Sequence, residues 1–240
     1  MLILPPRIMV LLVLLTTFSL ETSCIPAKVG DTKIESESVD LKGAEKVRVE
    51  LKIAVGELRV SGGAKNLLDA DFIYNVASWK PQVKYEVQGK EGVLTVRQPD
   101  TASSGGNRTK NEWNLSLADK VPIDLRVECG VGQSNFELGS LSLDNLEIQT
   151  GVGETTVELL GDWKKDLQAN IKGGIGKATL RLPVNVGVRV ESDKGIGSVS
   201  ARGLRKEGNI YTNESYGKSK VTLNIHVQAG IGEIQLELVD

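Results

Sequence analysis

Residues 173–182 read GGIGKATLRL, and the fold turns on whether this glycine run wraps a phosphate or bends a chain. A phosphate loop of the Walker type needs Gly-x-x-x-x-Gly-Lys followed by Ser or Thr. Counting back five from Gly176 reaches Ile171, and Lys177 is followed by Ala178. Apolar alternation on both sides makes the run strand to strand, so no helix amino terminus is available to hold an anion. The glycines therefore read as backbone geometry.

The run is one of a series. LRVECGVGQSNFEL, LEIQTGVGETTVEL, ANIKGGIGKATLRL, VRVESDKGIGSVSA and LNIHVQAGIGEIQLEL each carry Gly-(Val/Ile)-Gly. Their second glycines are Gly132, Gly153, Gly176, Gly197 and Gly232, with gaps of 21, 23, 21 and 35 residues. An earlier copy, VELKIAVGELRV, has Ala54 in the first position and Gly56 in the second. Around Gly153 the apolar set is Leu146, Ile148, Thr150 and Val152, then Thr155, Val157 and Leu159. That is a period-2 strand, a shift of one at the glycine, and a second period-2 strand. A one-residue shift is what a bulge or sharp corner produces, and glycine accepts the positive φ it requires. Gly56, Gly132, Gly153, Gly176, Gly197 and Gly232 are the predicted corners, and the Val or Ile between the glycines is expected to point into the core.

A ~22-residue repeat with two strands and two turns is one coil of a parallel β-solenoid, whose stacked coils bury a continuous core. A hairpin sandwich also gives short alternating strands, but does not demand a corner glycine at near-constant spacing. The expected class is all-β. The expected organisation is a signal segment over 1–23, a tether over 24–39, an irregular β part over 40–120 and the repetitive solenoid over 121–240. The polar stretch PDTASSGGNRTKN (99–111) reads as a loop. The 35-residue gap before Gly232 leaves room for a loop or hairpin before the final coil.

The first 23 residues have the make-up of a targeting segment. Arg7 precedes an uncharged run of 13 residues, Ile8–Leu20. That run is shorter than the ~20 residues a bilayer span needs and matches a secretory h-region. LETSC follows, and small residues before a cysteine point to lipoprotein processing with Cys24 as the lipidated residue. Glu21, three before the cysteine, departs from the usual aliphatic residue there. Secretory cleavage near Ala27 and an uncleaved anchor are the alternatives. A net charge of −2 offers no basic excess for nucleic acid. Two cysteines make no disulfide framework.

Candidate chemistry is sparse. His226, the sole histidine, lies between Ile225 and Val227 and should face outward, so neither a zinc set nor a Ser-His-Asp set is expected. Glu57, Glu154 and Glu233 share the slot after the corner glycine, but Gln133, Lys177 and Ser198 fill it in the other copies. Such a broken column reads as a solvated face rather than a calcium ladder. Cys129 is expected to pack as a small apolar group, and Trp163 to cover the solenoid side. Lys194 breaks the inward pattern, which implies an open corner or a snorkelling side chain. The sequons at Asn107, Asn114 and Asn213 matter only in a eukaryotic secretory pathway.

NEWNLSLADKVPIDLRVECGVG, LSLDNLEIQTGVGETTVEL and NIYTNESYGKSKVTLNIHVQAGIGEIQLEL resemble the bacterial toast-rack domain proteins. That family is akin to β-solenoid adhesins and to the extracytoplasmic-type domain of cell-wall-active antibiotic response proteins. The resemblance covers roughly residues 40–240. It implies stacked parallel strands and a non-enzymatic envelope role, and it supplies no catalytic residues. The membrane-embedded antibiotic-response members have several transmembrane helices, and this sequence has no comparable apolar run after residue 20. The function expected is a non-catalytic exported envelope protein, anchored through a lipid on Cys24. It would present a solenoid surface to an envelope protein or glycan, with no cofactor, metal or nucleic acid. The alternative is a polysaccharide-active enzyme working with surface carboxylates.

Overall fold

The computed structural model describes residues 25–26, 28–99, 103–104 and 106–239. The targeting segment, Cys24 and part of the 99–111 stretch lie outside the described residues. The strands in chain order are β1 (Ile25–Pro26), β2 (Val29–Val39), β3 (Lys46–Ser61), β4 (Leu68–Val76), β5 (Gln82–Gln88), β6 (Glu91–Arg97) and β7 (Ser103–Ser104). They continue with β8 (Asn111–Leu117), β9 (Ile123–Glu137), β10 (Leu143–Glu158), β11 (Leu167–Pro183), β12 (Gly187–Arg202), β13 (Arg205–Glu207), β14 (Ile210–Thr212) and β15 (Thr222–Val239). β1 pairs with β7, and the other 13 strands form one open sheet. The tether expected over 24–39 is corrected by this pairing: from Val29 it is strand β2, paired antiparallel with β4.

The six glycine-bearing strands, β3, β9, β10, β11, β15 and β12, are the coils. All stack in parallel. Each runs up one arm, turns at its second glycine and runs down a second arm. Gly56, Gly132, Gly153, Gly176, Gly197 and Gly232 have φ between 140° and 148°, a conformation L side chains rarely adopt. They also stand in register, Gly132 beside Gly153 and Gly153 beside Gly176. A Cβ on Gly153 would lie 1.8 Å from the Gly132 carbonyl oxygen. The corner thus demands glycine twice, for its dihedral and for the close approach of the next coil.

Inner faces of both arms form one apolar core. In β10, Leu146, Ile148 and Val157, and Leu159 just after it, are each at most 2% exposed. The arms meet inside the corner, where the Ser134 hydroxyl donates to Cys129 Sγ at 3.3 Å. This contact explains a correction. The Val or Ile between the glycines is not a core residue: Val131, Val152, Ile175, Ile196 and Ile231 are 46–74% exposed. Where the residues flanking the corner already touch across it, no volume remains for an apical side chain.

The coils do not stack in sequence order. β15 lies between β11 and β12, so the last copy fills the fifth place and β12 ends the stack. The long gap before Gly232 contains the β13–β14 hairpin, whose β14 pairs antiparallel with Arg189–Glu191 of β12. Tyr211 seals that end, 3% exposed. Asn213 fixes the return: Nδ2 donates to the carbonyls of Pro183 and Val186, and Oδ1 accepts from Val188 N–H.

At the amino-terminal end the coil divides. β6 pairs with Lys46–Lys52 of β3, and β8 pairs with Glu57–Ser61. Between them, the corner backbone of β3 is satisfied by two buried amides. Gln98 Oε1 accepts from the N–H groups of Ala54 and Val55, and Asn111 Nδ2 donates to the Val55 carbonyl. Trp113 Nε1 in turn donates to Asn111 Oδ1. This latch does for the first coil what a preceding coil does for the others.

Candidate functional site

Three surface features follow from the stack. The first is the apex. Register places Val55, Val131, Val152, Ile175, Ile231 and Ile196 side by side in that order. At ~4.8 Å per strand the row is about 24 Å long. Corner glycines flank it, so the β-branched side chains stand clear as an apolar ridge. Val55, beside the Gln98–Asn111 latch, is half-buried. Singly exposed apolar residues are unremarkable, whereas a contiguous row marks an interaction surface. Sequence reasoning found every residue of this row and gave them the wrong side.

The second feature is a groove of about 720 Å³ on the outer face of the first arm. Its floor has two rows. One runs Arg48, Asp124, Asn145, Gln168, Asn224, Arg189; the other runs Glu50, Arg126, Glu147, Asn170, His226, Glu191. The centre is therefore amide-rich and the ends charged. Most charges are mutually engaged. Arg126 grips Glu147 at 2.6 Å, and Lys46 bridges Asp124 at 2.9 Å and Asp144 at 3.2 Å. Arg189 meets Glu191 at 3.1 Å. Hydrogen bonds from Arg126 and Gln149 hold the Glu147 carboxyl below its ordinary range. A glycosidase acid needs the opposite shift. No Trp, Tyr or Phe lines the groove.

The third feature is the carboxylate column on the second arm. The true stacking order reads Glu57, Gln133, Glu154, Lys177, Glu233, Ser198. Neutral Gln133 and cationic Lys177 separate the acids, so no two carboxylates are neighbours in the column. Among the described residues no cluster of three His, Cys, Asp or Glu is placed to hold a metal.

The remaining single residues fall as follows. His226 faces outward, 3.6 Å from Asp193. Cys129 is partly buried, and burial pushes its thiol up to about 11 despite the Ser134 hydrogen bond. Lys194 is exposed at the end of the stack and donates to the Gly197 carbonyl at 3.0 Å. Trp163 is 7% exposed, and its Nε1 donates to the Leu159 carbonyl. Among the sequons, Asn213 is buried in its hydrogen bonds and is not an available acceptor. No helix among the described residues is long and apolar enough to cross a membrane.

Comparison with known proteins agrees with this geometry. The family described as the N-terminal domain of toast_rack, DUF2154, matches residues 28–181. The family described as cell wall-active antibiotics response LiaF, C-terminal, matches residues 130–236. A crystal structure of a candidate cell adhesion protein from Clostridium sporogenes is 38% identical, with a TM-score of 0.85. The match covers 87% of this chain and all of that one. A candidate adhesin from Bacteroides fragilis is 10% identical with a TM-score of 0.28, over 86% of this chain and 97% of its own, a likeness too slight to carry an argument. A search of the curated proteins finds no match.

Proposed function

The chain belongs to the toast-rack family, and on that premise we propose that it is a non-enzymatic, exported protein of the bacterial cell envelope that binds a partner through its apex ridge. The observation that carries this reading is the ridge itself: Val131, Val152, Ile175, Ile231 and Ile196 stand exposed in one row. Fully covering one such side chain is worth about 1.5–3 kcal/mol, so a complementary groove on an envelope protein or glycan gains from several at once. The 38% identity to a candidate cell adhesion protein supports the same direction. The enzyme alternative has less support, because the groove's Glu147 is held as a carboxylate by Arg126.

The test replaces Val152, Ile175 and Ile231 by Thr together in a purified chain starting after Cys24, so that no lipid anchor holds it, and measures its retention when added to intact cells and isolated cell walls. Thr keeps β-branching on exposed positions, so the melting temperature stays the same while retention falls at least tenfold. Unchanged retention contradicts a ridge-borne function. Anchoring through a lipid on Cys24 is part of the same reading, supported by the LETSC sequence. Labelled palmitate is incorporated by the parent chain and not by Cys24→Ser. Incorporation that persists in the variant removes Cys24 as the site.

A further inference from the structure

The amino-terminal strand enters the fold at the apex end. β8 runs down the second arm beside Glu57–Ser61, β4 returns antiparallel to β8, and β2 runs down again antiparallel to β4. Asn111 stands level with the first corner, since its carbonyl oxygen would lie 2.3 Å from a Cβ on Gly56. Asn111 is opposite Tyr74, and Tyr74 is opposite Lys33. Val29, opposite Val76, therefore lies at or above the corner, and Val39, opposite Leu68, lies at the base. Just before β2, Ile25–Pro26 pairs with Ser103–Ser104. Those serines belong to the stretch between Gln98 and Asn111, the two residues that latch the same corner.

We infer that the anchored chain stands on its membrane apex first, so that the ridge meets a protein of that same membrane rather than a wall glycan. This rests on Cys24 as the lipid anchor and on the ridge as the binding surface, and it narrows the ridge's partner. Cys24 precedes Val29 by five residues, which span at most about 18 Å when fully extended. From Val76 to Leu68 the second arm descends eight residues, about 26 Å. With its base on the bilayer, the chain would hold Val29 farther from the lipid than the tether reaches.

Charge points the same way. Lys28, Lys33 and Arg108 stand at the anchor corner against Asp31, and the ion pairs Lys80–Glu35 and Lys110–Glu112 beside them cancel. Arg108 is held there by its carbonyl, which accepts from Asn75 Nδ2 next to Val76. Basic groups beside an acyl anchor are drawn to anionic headgroups. Farther down, the β2 edge turns acidic with Glu37, Asp69 and Asp71, which opposes laying that edge flat on the bilayer.

The ridge begins at Val55 of β3, three strand spacings from β2 or ~14 Å, and runs away from the anchor. The stack axis then lies in the plane of the membrane. Beside the ridge, one row holds Lys52, Glu128, Lys172 and Asp193, and the other holds Glu57, Glu154, Lys177 and Glu233. Carboxylates outnumber lysines there, so the rows add no attraction for anionic headgroups. The ridge is left for an apolar groove of a protein exposed at the bilayer surface, while a polymer beyond the body meets the base turns.

Orientation is read by energy transfer. The full chain is isolated with its lipid and reconstituted in vesicles of phosphatidylcholine and phosphatidylglycerol that carry an acceptor dye on the headgroup. A donor dye is placed at Ile175→Cys on the apex or at Lys164→Cys in the exposed base turn, with Cys129 buried and unlabelled. The ~26 Å of height between them makes transfer at least about twofold stronger from 175 than from 164. Equal transfer, or stronger transfer from 164, in a chain that floats with the vesicles overturns the inference and leaves the anchor standing. A chain that does not float with them removes the anchor and the inference with it. The partner is read by adding the soluble chain starting after Cys24 to isolated membranes, isolated cell walls and vesicles of extracted lipid. Retention that falls at least tenfold with Val152→Thr, Ile175→Thr and Ile231→Thr together is expected on the membranes alone. The same loss on walls or lipid vesicles keeps the ridge as a binding surface and overturns its assignment to a membrane protein. Retention that ignores the ridge on all three contradicts the ridge reading itself.

Discussion

At the scale of the residue, the corner glycines carry the heaviest constraint. Gly153 has φ of 140°, and a Cβ there would meet the Gly132 carbonyl oxygen at 1.8 Å. Gly153→Val is expected to destabilise the fold by well over ~1 kcal/mol in denaturant titration, because strain and collision act together. Gly208, also at positive φ but with nothing within 4 Å of a built Cβ, isolates the dihedral cost. Gly208→Ala is expected to cost no more than about 1 kcal/mol. These corners were legible in the sequence because the glycines recur at near-constant spacing beside a phase shift. The direction of the residue between them was not. Periodicity gave Val152 the same parity as Ile148, but parity holds only while the strand is straight, and the inside of a closed corner has no room. Cys129 offers a second residue-level check. With its thiol pushed up to about 11 by burial, alkylation at pH 7.5 is expected to be at least tenfold slower than that of a free thiol, and to recover on unfolding.

At the scale of the element, the coils were readable and their order was not. Every coil offers the same parallel edge and the same slot pattern, so nothing in the repeat says which neighbour it takes. The clue was the 35-residue gap, long enough for the chain to go out along β12, cap it with β13–β14 and return as β15. The groove was hidden for the same reason, since Asn170 and His226 become neighbours only once β15 lies beside β11. The Gln98–Asn111 latch had no signature either, because Gln98 precedes the polar 99–111 stretch and Asn111 is its last residue. Its importance is testable. Asn111→Leu leaves the Val55 carbonyl and the Trp113 N–H short of a partner, and each buried group so stranded costs ~1–3 kcal/mol. An unfolding free energy lowered by at least ~2 kcal/mol is expected, against little change for Asn114→Leu on the outer face of the same strand.

Charges between elements set the acid limit. Glu147 is held low by hydrogen bonds from Arg126 and Gln149, and Asp69 by Ser38, Asn66 and the Lys65 N–H. For Asp144, desolvation raises the pKa, but Lys165 and Lys46 outweigh it and the net shift is downward. A carboxyl depressed on folding binds fewer protons folded than unfolded, so stability rises with pH in that window. The contribution is complete above the ordinary carboxyl range near ~4 and is lost as pH falls through the lowered values. The melting temperature is therefore expected to be level above about pH 5 and to fall below about pH 4. Glu147→Gln should flatten that fall.

At the scale of the whole molecule, parallel stacking turns a one-residue feature into a surface. One exposed Val is ordinary; six apical side chains in register form a ridge. Exchanging β15 and β12 would keep the ridge but change its neighbours, so exposure and order can be read from one pair of variants. Ile175→Cys/Ile231→Cys and Ile175→Cys/Ile196→Cys are compared for intramolecular disulfide formation in the folded chain. Adjacent in-register positions lie within the reach of a disulfide, whereas two strand spacings, ~9.6 Å, exceed its ~7 Å limit. Rapid oxidation of the 175/231 pair is expected, with free, readily labelled thiols in the 175/196 pair. A 175/196 disulfide, or apical thiols that resist labelling until the chain unfolds, would contradict it.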